Sequence, residues 1–237
     1  ANETYAQWTL TDALKNGMVA RYPFSGNAND SASGNNHGTV KGATLTTDST
    51  EWQTNRAYHF DGVDDTISVP ANNFGMANNS RTVAGWVRLD TNATGDNTIL
   101  FYGQKNAGKG FELGINGSDH LVASSYEANQ FTANADGKLT KGKWHHVAVT
   151  YSHNNGQTRL FLDGKPDGAK ELKSADEKNH IVRLGYTATN FMPPLNGALD
   201  DIQFYHRTLP AGDIARLARD QELTEGRAAR WTFDTDK

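Results

Sequence analysis

Polar and apolar residues alternate one by one through much of this chain. Thr66-Ile67-Ser68-Val69 does so, and from Thr82 to Leu89 the residues Val83, Gly85, Val87 and Leu89 fall on one face. His145 to Tyr151 repeats the pattern with Val147, Val149 and Tyr151 in step, and Thr158 to Leu162 adds another run. A period of two belongs to a strand with one buried face. Between the runs stand Asp61-Gly62, Asn116-Gly117, Asp136-Gly137, Asn155-Gly156, Asp163-Gly164 and Asn196-Gly197, pairs suited to tight turns. Many short strands punctuated this way predict a sandwich or a barrel. Helical spacing is confined to two stretches. Residues 5–16 carry Trp8, Leu10 and Leu14 in poor phase; residues 211–220 follow Leu209-Pro210 and put Ile214 and Leu217 on one face.

A longer-range repeat bears on domain organisation. Leu14, Gly17, Ala20, Arg21, Tyr22 and Phe24 recur as Leu223, Gly226, Ala229, Arg230, Trp231 and Phe233, each 209 residues on. Five identities and one aromatic exchange at constant offset predict a tandem array, with a strand that simply closes the one domain as the alternative. The expected organisation is an N-terminal extension or short helix over 1–16, one domain over 17–222, and the start of a following repeat or a closing strand over 223–237. A chain of 237 residues is long enough for a sizeable core, about 70% of its unfolded surface. Its 23 basic and 27 acidic residues give a net charge of −4, which argues against nucleic acid or an anionic membrane as partner. With no cysteine there is neither a disulfide framework nor thiol chemistry. No stretch reaches the roughly 18 apolar residues of a membrane helix.

Seven segments then fall in a telling order. They are Val19-Ala20-Arg21-Tyr22-Pro23-Phe24 running into Asn27-Ala28-Asn29-Asp30; Gly34-Asn35-Asn36-His37-Gly38-Thr39; Ala57-Tyr58-His59-Phe60-Asp61-Gly62; Thr82-Val83-Ala84-Gly85-Trp86-Val87; Trp144-His145-His146-Val147; Leu160-Phe161-Leu162-Asp163-Gly164; and Leu195-Asn196-Gly197-Ala198-Leu199-Asp200-Asp201-Ile202. Over residues 17–220 the chain resembles the laminin-G-like domains of bacterial secreted proteins, within the concanavalin-A-like lectin/glucanase superfamily. The resemblance implies an all-β, two-sheet antiparallel jelly-roll sandwich with one or two short helices, Trp86 and Trp144 in the core, and a location outside the cell or on its surface. It also implies one structural calcium, shared by the early-loop Asp30 and the last-strand Asp200, with carbonyls at Asn35 and His37 completing the shell. Such a segment does hold the oxygens calcium takes. An Asx-type turn closed by hydrogen bonds alone is the other reading of the same residues.

Signs of catalysis are absent. The carboxylate-rich strand motif of the related glucanases does not occur, and the neighbours Asp64-Asp65 and Asp200-Asp201 split across two faces of a strand. The same alternation separates His145 from His146 and argues against a shared transition metal. Sugar-stacking candidates are the aromatics in polar, irregular stretches: Trp52, Tyr102, Tyr126, Phe131, Tyr186 and Phe191. The sequence therefore points to a non-catalytic binding or adhesion module for a glycan or a cell-surface partner, with a domain of a polysaccharide-degrading hydrolase or lyase as the alternative.

Overall fold

The computed structural model describes residues 12–46, 57–71, 74, 79–103, 110–125, 129–132, 137–172, 181–187 and 192–225, the backbone alone at 12, 13, 125, 129–132 and 220–225. The alternating runs form two antiparallel sheets. The first has the order β13 (Lys165–Glu171), β12 (Gln157–Leu162), β11 (His145–Tyr151), β6 (Arg81–Leu89), β15 (Asn196–Tyr205), β4 (Ala57–Asp61) and β3 (Thr44–Thr46), with β1 (Met18–Tyr22) also pairing β15. The second has the order β10 (Asn129–Thr132), β9 (Leu121–Ser125), β8 (Gly110–Ile115), β7 (Asn97–Gly103), β14 (Ile181–Leu184), β5 (Thr66–Pro70) and β2 (Thr39–Lys41). All their pairings are antiparallel, as the jelly-roll expectation requires.

Between the sheets lies one core. Val83, Val87 and Leu89 of β6, Val147 and Val149 of β11, and Leu160 of β12 meet Leu100 and Tyr102 of β7 and Phe111, Leu113 and Ile115 of β8. Rings fill its centre: Phe24 meets Tyr58 edge-on at 5.1 Å and Phe74 lies 5.0 Å from Phe204. Arg81 is an unusual member, 2% exposed, with its guanidinium 4.3 Å from the Tyr151 ring centre and 5.3 Å from that of Phe111. It bridges the two sheets by cation–π contact where an aliphatic residue would be the ordinary choice.

The first sheet buries its other face as well. Ala84, Ala148, Phe161 and Tyr205 pack against Leu14 of α1 (Asp12–Lys15) and against Leu209, Ile214 and Leu217 at and within α2 (Ala211–Glu225). The second expected helix thus forms, and runs beyond residue 220. At the type of turn the Asp163-Gly164 pair predicts, both residues have positive φ (48° and 74°), and a Cβ on Gly164 would meet Ala215 and Ala218 at 3.0 Å, so glycine also lets α2 approach. Of the two tryptophans expected in the core, Trp86 is buried as expected and Trp144 is only half-buried. Trp86 is 4% exposed but on the helix-bearing face, edge-on to His146 at 5.4 Å. Trp144 is half-buried just before β11, with the Arg88 guanidinium 5.2 Å from its ring centre. Both bury apolar surface, but neither belongs to the core between the sheets.

Candidate functional site

The early loop closes tightly around Asp30. Its Oδ1 accepts the Arg21 N–H at 3.0 Å and the Ala32 N–H at 2.9 Å; its Oδ2 accepts the Asn36 N–H at 3.0 Å and the Asn36 side-chain amide at 3.3 Å. The Asp30 N–H donates to His37 Nδ1 at 3.2 Å, and the Tyr22 hydroxyl donates to the Asn36 carbonyl at 2.6 Å. Asn35 turns the chain with φ of 50°. A carboxylate has about four lone-pair positions, and here N–H donors fill them. A cation at Asp30 would have to displace one or more of these donors. Asp200 lies on the neighbouring strand, where its Oδ1 accepts the Asp201 N–H at 2.7 Å. The two segments are joined through β1, since Arg21 pairs with Gln203 in β15. Beside Asp200 the chain bulges, with Asp201 at φ 41°. The Asp201 carboxylate holds Arg21 Nε at 2.6 Å and the Gln203 amide, and Gln203 Oε1 accepts the Tyr205 hydroxyl at 2.7 Å. Burial works against the Arg21 charge, but Asp201, helped by Tyr205 and Asp200, more than offsets it and leaves the Arg21 pKa above its ordinary value.

A second acidic group, Asp61, Asp64 and Asp65, sits at the β4–β5 turn. Every member already has a local partner. Asp61 accepts the Val63 N–H, Asp65 accepts the Asp61 N–H, and Asp64 pairs with Lys41 at 3.1 Å.

The outer face of the second sheet is the larger feature. Because Ile67, Val182, Leu100, Phe111 and Ala123 point inward, their strand neighbours point outward. Registers align these as one cross-strand row: Thr39, Ser68, Arg183, Phe101, Glu112 and Ser124. The row has two halves. Thr39 is exposed, Ser68 and Arg183 are half-exposed, and Ile181 beside them is 46% exposed. Phe101, Glu112 and Ser124 are buried, at 1%, 3% and 5%. Part of their cover is the chain returning between β14 and β15. Met192 lies over Gly114, within 2.6 Å of where a Cβ would stand, and the Pro193 carbonyl accepts the Thr98 N–H at 2.9 Å.

Glu112 is a strongly perturbed carboxyl. Burial pushes its pKa up to about 7, Asp96 adds to the rise, and hydrogen bonds from Thr98 and Thr187 resist it. Thr98 Oγ1 lies 3.2 Å from both Glu112 Oε1 and the Met192 carbonyl. One hydroxyl proton cannot serve two acceptors. Protonated Glu112 resolves the conflict by donating to Thr98, which then donates to Met192. His146 shows the reverse shift, pushed down to about 4 by burial against the pull of Asp163.

Of the expected ligand residues, Tyr102 faces the core at 3% exposure; the aromatic of β7 on the sheet's outer face is Phe101, because alternation turns the two apart. Tyr186 is half-buried. Phe131 is described by its backbone, paired with Ala123, and Trp52, Tyr126 and Phe191 lie outside the described residues, as do 226–237 of the expected repeat. Sequence reasoning missed Glu112. Its signal was one carboxylate inside Phe111-Glu112-Leu113-Gly114-Ile115, a strand otherwise apolar or glycine.

The family profile described as "Concanavalin A-like lectin/glucanases superfamily" matches residues 61–215. Comparison with curated proteins finds no match. Among solved structures, the chain is similar to domain 4 of AbnA, an extracellular GH43 arabinanase from Geobacillus stearothermophilus in complex with arabinotriose, with TM-score 0.64, 21% identity, 85% of this chain and 98% of that one covered. It is similar to Trypanosoma rangeli sialidase (TM-score 0.67, 17% identity, 88% of this chain and 34% of that). It is also similar to the botulinum neurotoxin serotype D binding domain (TM-score 0.66, 16% identity, 90% of this chain and 53% of that). At these identities the likeness is one of fold. The chain spans about a third of the sialidase and half of the toxin fragment, and nearly all of the arabinanase domain.

Proposed function

The chain belongs to the concanavalin A-like lectin/glucanase superfamily, and on that footing we propose that it is a non-catalytic glycan-binding module acting outside the cell. The observation that carries this reading is the open half of the second sheet's outer face. There Thr39, Ser68 and Arg183 line up across three paired strands beside the exposed Ile181. Hydroxyls and a guanidinium bond sugar hydroxyls, and an apolar side chain accepts the C–H face of a ring. The AbnA domain, which the chain matches along almost its whole length, is bound to arabinotriose, and this supports the class of ligand. No described helix is long and apolar enough to cross a membrane. The test is a glycan array followed by calorimetric titration of the best oligosaccharide. Arg183→Ala should weaken binding about tenfold or more, the scale of one charge-assisted contact, with an unchanged melting temperature. Binding indifferent to Arg183 would move the site elsewhere, and an array without hits would remove the reading.

The competing reading, a polysaccharide-degrading domain, draws on Glu112, whose pKa of about 7 is in the range of a general acid. Hydrolysis by the common two-carboxyl route also needs a second carboxyl about 5–10 Å away across the scissile bond. The described hydrogen bonds of Glu112 come from Thr98 and Thr187. Release of reducing sugar that Glu112→Gln abolishes would replace the binding reading. Calcium at Asp30 and Asp200 is a separate proposal resting on the family resemblance, and its readout is thermal. Added calcium should raise the melting temperature, and Asp30→Ala and Asp200→Ala should each erase that increment. An increment of zero in the unmodified chain ends the proposal.

A further inference from the structure

On the opposite sheet, a cavity of about 330 Å³ opens where the β11–β12 hairpin meets the start of α2. That volume is at the small end of the roughly 300–1,000 Å³ of ligand sites. Its floor is apolar, from Phe161, Leu209, Pro210 and Ala211, and its walls are Thr150, Ser152, Asn155, Gln157, Arg159 and Thr208. Each wall amide oxygen already accepts one internal hydrogen bond. Asn155 Oδ1 accepts the Gln157 N–H at 3.1 Å, and Gln157 Oε1 accepts Arg159 Nη2 at 2.8 Å. Each amide NH₂ remains available as a donor toward the cavity. Arg159 keeps a free edge of its guanidinium and, among the described residues, has no carboxylate partner; Glu171, which pairs with Gln157 across β13, is exposed and forms no ion pair with it. No carboxylate lines the cavity. The amides of Ala211 and Gly212 precede the first helical bond of the 15-residue helix, and its first-turn carboxylate, Asp213, is paired with Arg207 and Arg216.

Donors alone would suit any small oxyanion. Donors above a floor of Phe161 and Pro210 suit an anion attached to a ring with an apolar face. We propose that this cavity binds the carboxylate of an acidic sugar, a hexuronate unit of a glycan chain, with Arg159 as the charged contact. The proposal deepens the glycan-binding reading and rests on it, but places the contact on the other sheet from Arg183.

The test uses three probes on the full chain: a galacturonic acid tetrasaccharide, the matching galactose tetrasaccharide, and inorganic sulfate. The uronate should bind about tenfold or more tightly than the neutral sugar, the scale of one charge-assisted pair. Arg159→Gln should abolish that preference without changing the melting temperature, Arg183→Ala should leave it intact, and sulfate should compete no better than its ionic strength predicts. Equal affinity for the two sugars, a preference that survives Arg159→Gln, or sulfate competing as well as the uronate would each overturn the proposal. If the neutral sugar binds without any preference, glycan binding stands and the acidic-sugar site falls. If neither sugar binds, the acidic-sugar site falls, and the glycan-binding reading is left to the array.

Discussion

Two buried ionisable residues shape how stability depends on pH, and they oppose one another. The Glu112 pKa rises from 4.5 to about 7 on folding. Between those values the folded chain holds a proton the unfolded chain has released, so stability is highest below pH 4.5, declines as pH climbs, and levels off above 7. The amplitude is on the order of 3 kcal/mol. His146 falls from 6.5 to about 4. Its contribution is complete above pH 6.5 and is lost as pH drops toward 4, where the unfolded chain takes up the proton first. Between 4.5 and 6.5 the two trends partly cancel. Urea midpoints measured from pH 4 to 8 should therefore vary little in this window for the unmodified chain. Glu112→Gln, which keeps a neutral group in the same space, should raise the midpoint at pH 7–8 and expose a steep decline on the acid side. If the Glu112→Gln curve merely runs parallel to the original, Glu112 does not titrate abnormally. Arg81 poses a different residue-scale problem, a cation 2% exposed between the rings of Tyr151 and Phe111. Arg81→Met fills similar volume but forfeits the cation–π contacts, about 2 kcal/mol or more when desolvated. A denaturation midpoint unchanged by this substitution would show that shape alone holds the site.

At the scale of elements, the early loop and the last strand form one unit. Asp30 gathers N–H groups from Arg21, Ala32 and Asn36, and β1 carries that loop onto β15. Asp30→Ala strands these donors together, and at about 1–3 kcal/mol for an unsatisfied buried group the loss should be several kcal/mol by urea denaturation; a loss under about 1 kcal/mol would mean that water serves them equally well. The alternating strands were legible because a period of two is written directly in the chain: Val83 to Leu89 and Val147 to Tyr151 point where their spacing says. Strand β13 was not. Lys-Pro-Asp-Gly-Ala-Lys-Glu has Pro166 and Gly168 inside it, and pairs only because it is an edge strand whose outer side is spared a partner. The oxygen-rich composition of the early loop could be read, but whether its oxygens face N–H groups or a cation depends on backbone directions that leave no mark in the sequence. For Glu112, the missing knowledge was the cover that Thr98, Thr187 and Met192 provide from distant segments.

For the whole molecule, the two outer faces differ in kind. The first sheet is covered by α1 and α2 over Ala84, Ala148, Phe161 and Tyr205, with the Arg159 cavity beside them; the second is open near Arg183 and closed near Glu112. Arg159 and Arg183 thus meet solvent on opposite sides, with two sheets about 10 Å apart between them. Residues so separated, with no shared partner, contribute additively within about 0.5 kcal/mol. If both proposed sites bind glycan, a chain carrying neutral and uronate units has two independent places to bind on each protein, and such a two-site protein should cross-link long chains. In calorimetry with such a mixed glycan, Arg159→Gln and Arg183→Ala should each remove one class of sites, leaving the affinity of the other unchanged. The double substitution should equal the sum of the two losses. Light scattering should show long mixed chains cross-linked into networks by the unmodified protein, whereas either single variant only decorates separate chains. Coupling well above 0.5 kcal/mol between the two arginines would mean that one ligand wraps an edge of the sandwich and touches both faces. The two sites would then be ends of a single groove.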